Sequence, residues 1–351
     1  QLRRRAPRHA GMVLATTGLL SLCTGMAAAD AADLTQLPLE QLMALEVTTA
    51  SKFPQLLREA PSAVTVIPAE DIRAFGYRTL ADVLRSIPGL YVSDDRNYSY
   101  VGARGFSRPG DYNSRVLLLV DGYRLNESIY DGALIGTEFI LDVDLIERVE
   151  FAPGPGSAIY GSNAFFGVIN VITRKGRNMN GTELAVSAAS YQTGSARVSH
   201  GQRTANGLEM LLSASAYGSN GQNLYYPEYD SPASNNGIAE NLDSDRNQQF
   251  FGKIAYRDWS FETGYASRTK DIPTASYSQV FNQPGAHTTD KQFFTNLRYE
   301  TTLTPTFDLQ ASASYGRYTY DGQYMYGTAN RDHSLGDWWS TELRLLSAGP
   351  L

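Results

Sequence analysis

Residues 152–173 read APGPGSAIYGSNAFFGVINVIT, a Gly-rich loop that runs straight into a short apolar strand and invites comparison with a phosphate-binding loop. A P-loop requires G-x-x-x-x-G-K-[ST]. Gly156 and Gly161 have that spacing, but Ser162 and Asn163 follow where Lys and Ser or Thr belong. A dinucleotide fingerprint requires G-x-G-x-x-G, and after Gly154 and Gly156 the third place holds Ile159. Both phosphate readings fall, so these glycines are expected to serve tight turns and close backbone approach. Other reactive residue types are sparse. His9, His200, His287 and His333 show no ligand spacing, and Cys23 alone excludes an internal disulfide or a Cys-based zinc site. With no nucleophile–base pair and no metal cluster, neither an enzyme nor a cofactor or metal site is expected.

The charge of -6, with no Lys/Arg cluster beyond the N-terminus, argues against nucleic acid as a partner. RRRAPRH followed by the apolar GMVLATTGLLSLCTGM and small residues at Ala27–Ala29 reads as a secretory signal peptide over 1–29, cleaved near Ala29 or Ala32. Leu22 before Cys23 disfavours a lipoprotein. The chain opens on Gln, which suggests a fragment at that end. No later run of 18 apolar residues occurs, so an exported product is either soluble or a β-barrel in an outer membrane.

Two styles of element follow. Up to about Lys175 the pattern mixes α and β. SAVTVI alternates as a strand, PAEDIRAF starts a helix that Gly76 ends, and Thr79 with Asp82 forms a variant capping box. Leu80, Val83, Leu84 and Ile87 then share one helical face, RVLLLV reads as a strand buried on both sides, and Asp121–Gly122 marks a hairpin turn. After Gly181, segments of about ten residues alternate apolar and polar. GLEMLLSASAYGS sets Leu208, Met210, Leu212, Ala214 and Ala216 against Glu209, Ser213 and Ser215, with Leu211 breaking the pattern; WSFETGYAS and FDLQASASY repeat it. About eight such strands fit before residue 347. A soluble sandwich also alternates, but short turns near Asp258 and Pro305 contrast with long connections at 219–246, 270–290 and 319–337. Short turns on one rim and long loops on the other is an outer-membrane arrangement.

GPGSAIYGSNAFFGVINVIT resembles the end of the plug domain of TonB-dependent outer-membrane receptors. The similarity continues, in order, through APSAVTVIPAEDI, LADVLRSIPGLYV, VGARGF, VLLLVDGYRLN and LIERVEFAPGPGSAIYG, covering 52–175. The resemblance implies an α+β plug domain inside a transmembrane antiparallel β-barrel of 22 strands, of which about the first eight are present, in the outer membrane of a Gram-negative bacterium. Its divisions are 1–29 signal peptide, 30–51 periplasmic leader with the TonB box, 52–175 plug and 181–351 a truncated first part of the barrel. An eight-stranded barrel has no room for a plug, so the C-terminal part is expected to be missing. The implied function is uptake of a scarce chelate, a ferric siderophore or cobalamin, through TonB and, through it, ExbB and ExbD, by a monomer embedded in lipid. Haem or another nutrient is the alternative within this fold. A passive porin or adhesin would need no plug, and the leader is too short for a signalling domain.

The residues the resemblance points to are these. Glu46, Val47, Thr48, Thr49 and Ala50 stand where the family keeps its TonB box, after a leader containing PLEQL. Arg96, Tyr98 and Tyr100, with Ile129 and Tyr130, lie in the two plug loops expected at the outward apex. Tyr225, Tyr226, Tyr229, Tyr324 and Tyr326 in the barrel loops would add aromatic area with a polar tip for a bulky amphiphilic chelate. An interfacial belt or loop packing is the competing role for each tyrosine. Arg104, Glu147 and Arg148 are expected to form ion pairs between plug and barrel wall.

Overall fold

The computed structural model describes residues 46–49, 52, 55–60, 62–108 and 110–347. The signal peptide, the PLEQL leader and Ala50 lie outside them.

The first unit is built on a five-stranded sheet of order β3–β8–β9–β6–β7, comprising β3 Thr65–Pro68, β6 Val116–Val120, β7 Tyr123–Arg124, β8 Ile146–Pro153 and β9 Gly167–Thr173. β6 is buried along its whole length and pairs in parallel with β9, as a continuous apolar run requires. β6 and β7 form a two-residue hairpin in which Asp121 (φ 47°) and Gly122 (φ 83°) both take positive φ, the geometry of a primed turn. Helix α1 (Ala69–Ala74) follows β3, and α2 (Leu80–Arg85) opens on the expected capping box. The Asp82 N–H donates to Thr79 Oγ1 at 3.2 Å, and the Thr79 N–H donates to Asp82 Oδ2 at 3.2 Å. Leu80, Val83, Leu84 and Ile87 are buried in one core cluster that also holds Leu118, Val120, Ile135 and Phe139. A separate hairpin, β4 Leu90–Asp94 with β5 Ser99–Ala103, carries the first apical loop.

The glycines of 152–173 do what their backbone freedom permits. Gly161 takes φ 77° at the end of the one-turn helix α3 (Ser157–Tyr160). At Gly167 a Cβ would stand 2.9 Å from the Ala152 carbonyl oxygen, so β8 and β9 could not close on one another with a side chain there.

Eight further strands form one antiparallel sheet in chain order: β10 Gly181–Ala189, β11 Thr193–Arg203, β12 Glu209–Ser219, β15 Asp245–Tyr256, β16 Trp259–Asp271, β17 His287–Thr304, β18 Phe307–Met325 and β19 Ala329–Ser347. Its strand count matches the sequence reading. Polar faces turn inward, where Glu262, Arg268, Asp290 and Gln292 are buried against the first unit. Leu184, Val186, Trp339 and Leu343 face outward and are 74–79% exposed. Leu211, the break in the β12 alternation, points inward at 1% exposure and joins the core of the first unit. An apolar residue on the polar face is there because it touches protein and not water.

One loop expectation is corrected. Residues 319–337 are not a long connection: β18 and β19 stay paired from Phe307↔Ser347 to Met325↔Ala329, leaving 326–328 as the turn. The segment carries few apolar side chains, yet the ladder runs on through it and is joined by side-chain bonds such as Arg331 Nε to Gln323 Oε1 at 3.0 Å. The connections at 220–244 and 272–286 are long, and the former carries a small hairpin of β13 (Leu224–Tyr225) and β14 (Ile238–Ala239). These long connections share one end of the sheet with 326–328, while the turns at 204–208, 257–258 and 305–306 share the other.

Candidate functional site

At the long-loop end, the first unit and the sheet enclose a cavity of about 560 Å³. Tyr98, Tyr100, Tyr112 and Tyr130 face it from one side, and Tyr277, Tyr318, Tyr320, Tyr324 and Tyr326 from the other. Tyr112 stacks on Tyr130 at 4.9 Å between ring centroids and meets Tyr98 edge-on at 6.1 Å; Tyr277 meets Tyr324 edge-on at 5.8 Å. The Tyr320 and Tyr324 hydroxyls bond to each other. Burial, with Asp95 beside it, pushes the Tyr100 phenol well above its ordinary value; burial and the Tyr277 hydroxyl raise Tyr112. These hydroxyls therefore stay protonated and able to donate at any physiological pH.

Buried polar groups position the rings. The Tyr98 hydroxyl donates to Asp290 Oδ1 at 3.0 Å, and the Tyr318 hydroxyl donates to the same atom at 2.6 Å. Arg268 lies between Asp245 (3.4 Å), Asp290 (3.6 Å) and Glu138 (4.0 Å), with its guanidinium 5.5 Å from the Tyr98 ring centroid. The apical loop carrying Tyr130 is wound around one buried carboxylate, because Glu127 accepts from the N–H groups of Ile129 (2.5 Å), Tyr130 (3.0 Å) and Gly132 (2.7 Å). Burial nonetheless leaves the Glu127 carboxyl above the usual carboxylate range.

Of the ten residues expected to meet ligand, the structure brings five together here: Tyr98, Tyr100, Tyr130, Tyr324 and Tyr326. The other five lie outside this cavity. Arg96, turned out at φ 72°, faces a larger cleft beside α1 and α2. Ile129 lies against Gly336 on the sheet wall. Tyr226 and Tyr229 grip Phe281 (centroids 5.8 and 4.2 Å), joining the two long loops, and the Tyr225 hydroxyl donates to Asp230 at 2.9 Å. Tyr226 and Tyr229 thus cover Phe281, an apolar ring on a polar loop. Sequence reading missed Tyr112, Tyr277, Tyr318 and Tyr320. The i, i+2 spacing in YGRYTYDGQY was a usable signal for the last two, since alternate strand positions share a face.

The ion-pair expectation also needs correcting. Arg148 pairs with Glu150 (2.8 Å) and Glu147 (3.4 Å), all within β8, and Arg104 is exposed with no ion pair among the described residues. The links to the sheet are made by other residues. Lys253 meets Asp121 at 2.8 Å, Arg197 meets Asp144 at 2.9 Å and Asp142 at 3.6 Å, and Arg268 meets Glu138. β8 lies in the interior of its own sheet, so its charges find partners there.

At the opposite end, Glu46–Val47 forms strand β1 paired with β2 (Gln55–Leu56), and Thr48 and Thr49 dock on β8, β9 and α3.

Residues 56–168 match the family model described as TonB-dependent Receptor Plug Domain. The chain is 31% identical over 296 residues to the Vitamin B12 transporter BtuB of Vibrio vulnificus (72% of this chain, 46% of the relative). This chain belongs to the TonB-dependent receptors. It is 36% identical over 133 residues to the iron-regulated outer membrane virulence protein of Vibrio cholerae, 37% of this chain and 20% of that one. The chain thus spans less than half the length of the curated relatives it matches. Among solved structures it is similar to the ferric yersiniabactin uptake receptor FyuA from Yersinia pestis (TM-score 0.61, 17% identity, covering 83% of this chain and 46% of that one). It is also similar to the siderophore receptor PiuA from Acinetobacter baumannii (TM-score 0.61, 17% identity, 87% and 45%). These likenesses establish the fold: the first unit is the plug, and the eight strands are barrel wall.

Proposed function

We propose that the protein to which this chain belongs takes up a metal chelate, a ferric siderophore or cobalamin, across the outer membrane of a Gram-negative bacterium. Ligand enters the tyrosine-lined cavity at the long-loop end. Residues 46–50 are offered at the other end to TonB, to which they add as a strand, and TonB in turn works with ExbB and ExbD. The observation that carries this reading is the placement of an aromatic cavity and a docked strand-forming segment at opposite ends of one plug.

The cavity's charge favours cobalamin within that class. Its ionisable lining is Asp95, Glu127, Asp332 and His333 beside the tyrosines, with no Lys or Arg among the lining residues. Such a wall suits a bulky neutral chelate with many amide and ring edges, and repels a polyanionic ferric tris-catecholate. Titrating the purified full-length receptor with cyanocobalamin and with a ferric tris-catecholate tests this. Saturable binding of cyanocobalamin alone is expected. Binding of the tris-catecholate alone would move the assignment to a siderophore, and binding of neither would remove the uptake reading for this ligand class.

A further inference from the structure

We infer that the Glu150 carboxylate is the latch that holds the TonB-binding segment in its resting place. The inference rests on the function proposed above for the identity of the partner; its geometry is independent of the ligand. Glu150 lies on β8 with a fully buried side chain. Its Oε2 accepts three hydrogen bonds from the segment: Thr48 N–H at 3.1 Å, Thr49 N–H at 3.2 Å and Thr49 Oγ1–H at 2.5 Å. Its Oε1 is held by Arg148, from Nε at 2.9 Å and Nη2 at 2.8 Å. The remaining hydrogen bonds of Thr48 and Thr49 are neutral: the Tyr160 hydroxyl donates to the Thr49 carbonyl at 2.9 Å and stands 3.5 Å from the Thr48 carbonyl, which accepts from the Lys52 N–H at 2.9 Å, and Asn170 Nδ2 donates to Thr48 Oγ1 at 3.3 Å.

Two consequences follow from this arrangement. Bonds to a charged acceptor are about twice as strong as neutral ones, so one side chain supplies most of the polar hold on residues 48 and 49. In an extended strand, successive N–H groups point to opposite sides, yet here two successive N–H groups converge on one oxygen. The latched backbone at Thr48–Thr49 therefore cannot lie in a sheet ladder, and joining a partner strand requires Glu150 to let go first. Latched and partner-paired forms exclude each other, and Glu150 sets the balance between them.

The test uses the full-length receptor in outer-membrane vesicles, free of ligand, with a nitroxide attached through Glu46→Cys, an exposed position beside the latch. The parent should give an immobile spectrum. Glu150→Gln removes the charge while keeping the shape, and the mobile-to-immobile ratio should rise about tenfold or more. Thr49→Val, which removes one of the three bonds, should raise it about threefold, and Thr49→Ser should restore the parent ratio. Fluorescence of Trp338, whose indole N–H donates to the plug's Tyr123 hydroxyl at 3.1 Å, reports whether the plug remains seated. A parent-like ratio in Glu150→Gln with the plug seated would overturn the inference. Should that variant lose its plug, Thr49→Val decides, with an unchanged ratio counting against the latch. Because the readout needs neither ligand nor uptake, its failure leaves the ligand assignment untouched, and the reverse also holds.

Discussion

Lys253 offers the sharpest test of how the plug is seated. On barrel strand β15, its amino group stands 2.8 Å from Asp121 Oδ2 in the plug hairpin, 3.2 Å from Glu262 Oε1 on β16 and 3.3 Å from Thr173 Oγ1. Both carboxylates are buried, so Lys253→Met leaves two negative charges facing each other with no cation between them. Removing one partner of a buried pair costs about 3–5 kcal/mol. Lys253 is itself one-fifth exposed, which argues for the lower end. With a denaturant slope of about 1–3 kcal/mol per molar urea, the plug of the full-length receptor should release roughly 1–3 M earlier in urea. Trp338 fluorescence follows the release through the contact with Tyr123. The pH dependence should also reverse. Burial alone would raise the Asp121 carboxyl, but Lys253 and the Thr173 hydrogen bonds outweigh it and hold it below the usual range. In the parent, the Asp121 contribution is therefore complete above its unfolded pKa of about 4 and is lost as pH falls through the lower folded value. In Lys253→Met the uncompensated carboxylates gain from protonation, so acid should stabilise the plug. A variant releasing within about 0.3 M of the parent at neutral pH, with the parent's pH profile, would refute the reasoning.

Other outcomes follow from the same contacts. Tyr112→Ala, which removes the ring stacked on Tyr130, should weaken ligand binding about tenfold while leaving the plug seated, as read by equilibrium titration. Gly336→Val should displace the apical loop, because a Cβ there would stand 2.3 Å from Ser128 Oγ; a crosslink or label at Ser128 would report the shift, and unchanged ligand affinity would count against the loop's role. Because burial holds Glu127 above its ordinary range, the folded loop binds more protons than the unfolded chain. Its contribution to stability is thus largest in acid and declines as pH rises from about 4 through the raised value, a slope that Glu127→Gln should flatten in hydrogen exchange at residues 128–132.

Much of this architecture was legible in the order of residues. The capping box at Thr79, the primed turn at Asp121–Gly122 and the buried run of β6 are local signals, and each formed as local chemistry dictates. The alternation after Gly181 gave about eight strands, the number in the sheet, and Leu211, which broke it in β12, marks a plug contact. What could not be read depends on which groups meet across more than a hundred residues. Lys253 with Asp121, Arg268 with Glu138 and Tyr98 with Asp290 are pairings fixed by the seating of one unit inside the other. Arg104, Glu147 and Arg148 were assigned to that seam because they sit in plug motifs, and the structure keeps the last two within β8. The tall β18–β19 hairpin was hidden for another reason. From Asp321 to Ser334 its residues are mostly polar or glycine, so the apolar alternation fades although the ladder continues.

If ligand captured at one end of the plug is driven inward through residues 46–50 at the other, their deletion uncouples the two steps. Cells carrying the full-length gene without residues 46–50 and supplied with radiolabelled cyanocobalamin should keep surface binding at the parent level and lose accumulation inside the cell. Accumulation at the parent rate would show that uptake does not run through this segment.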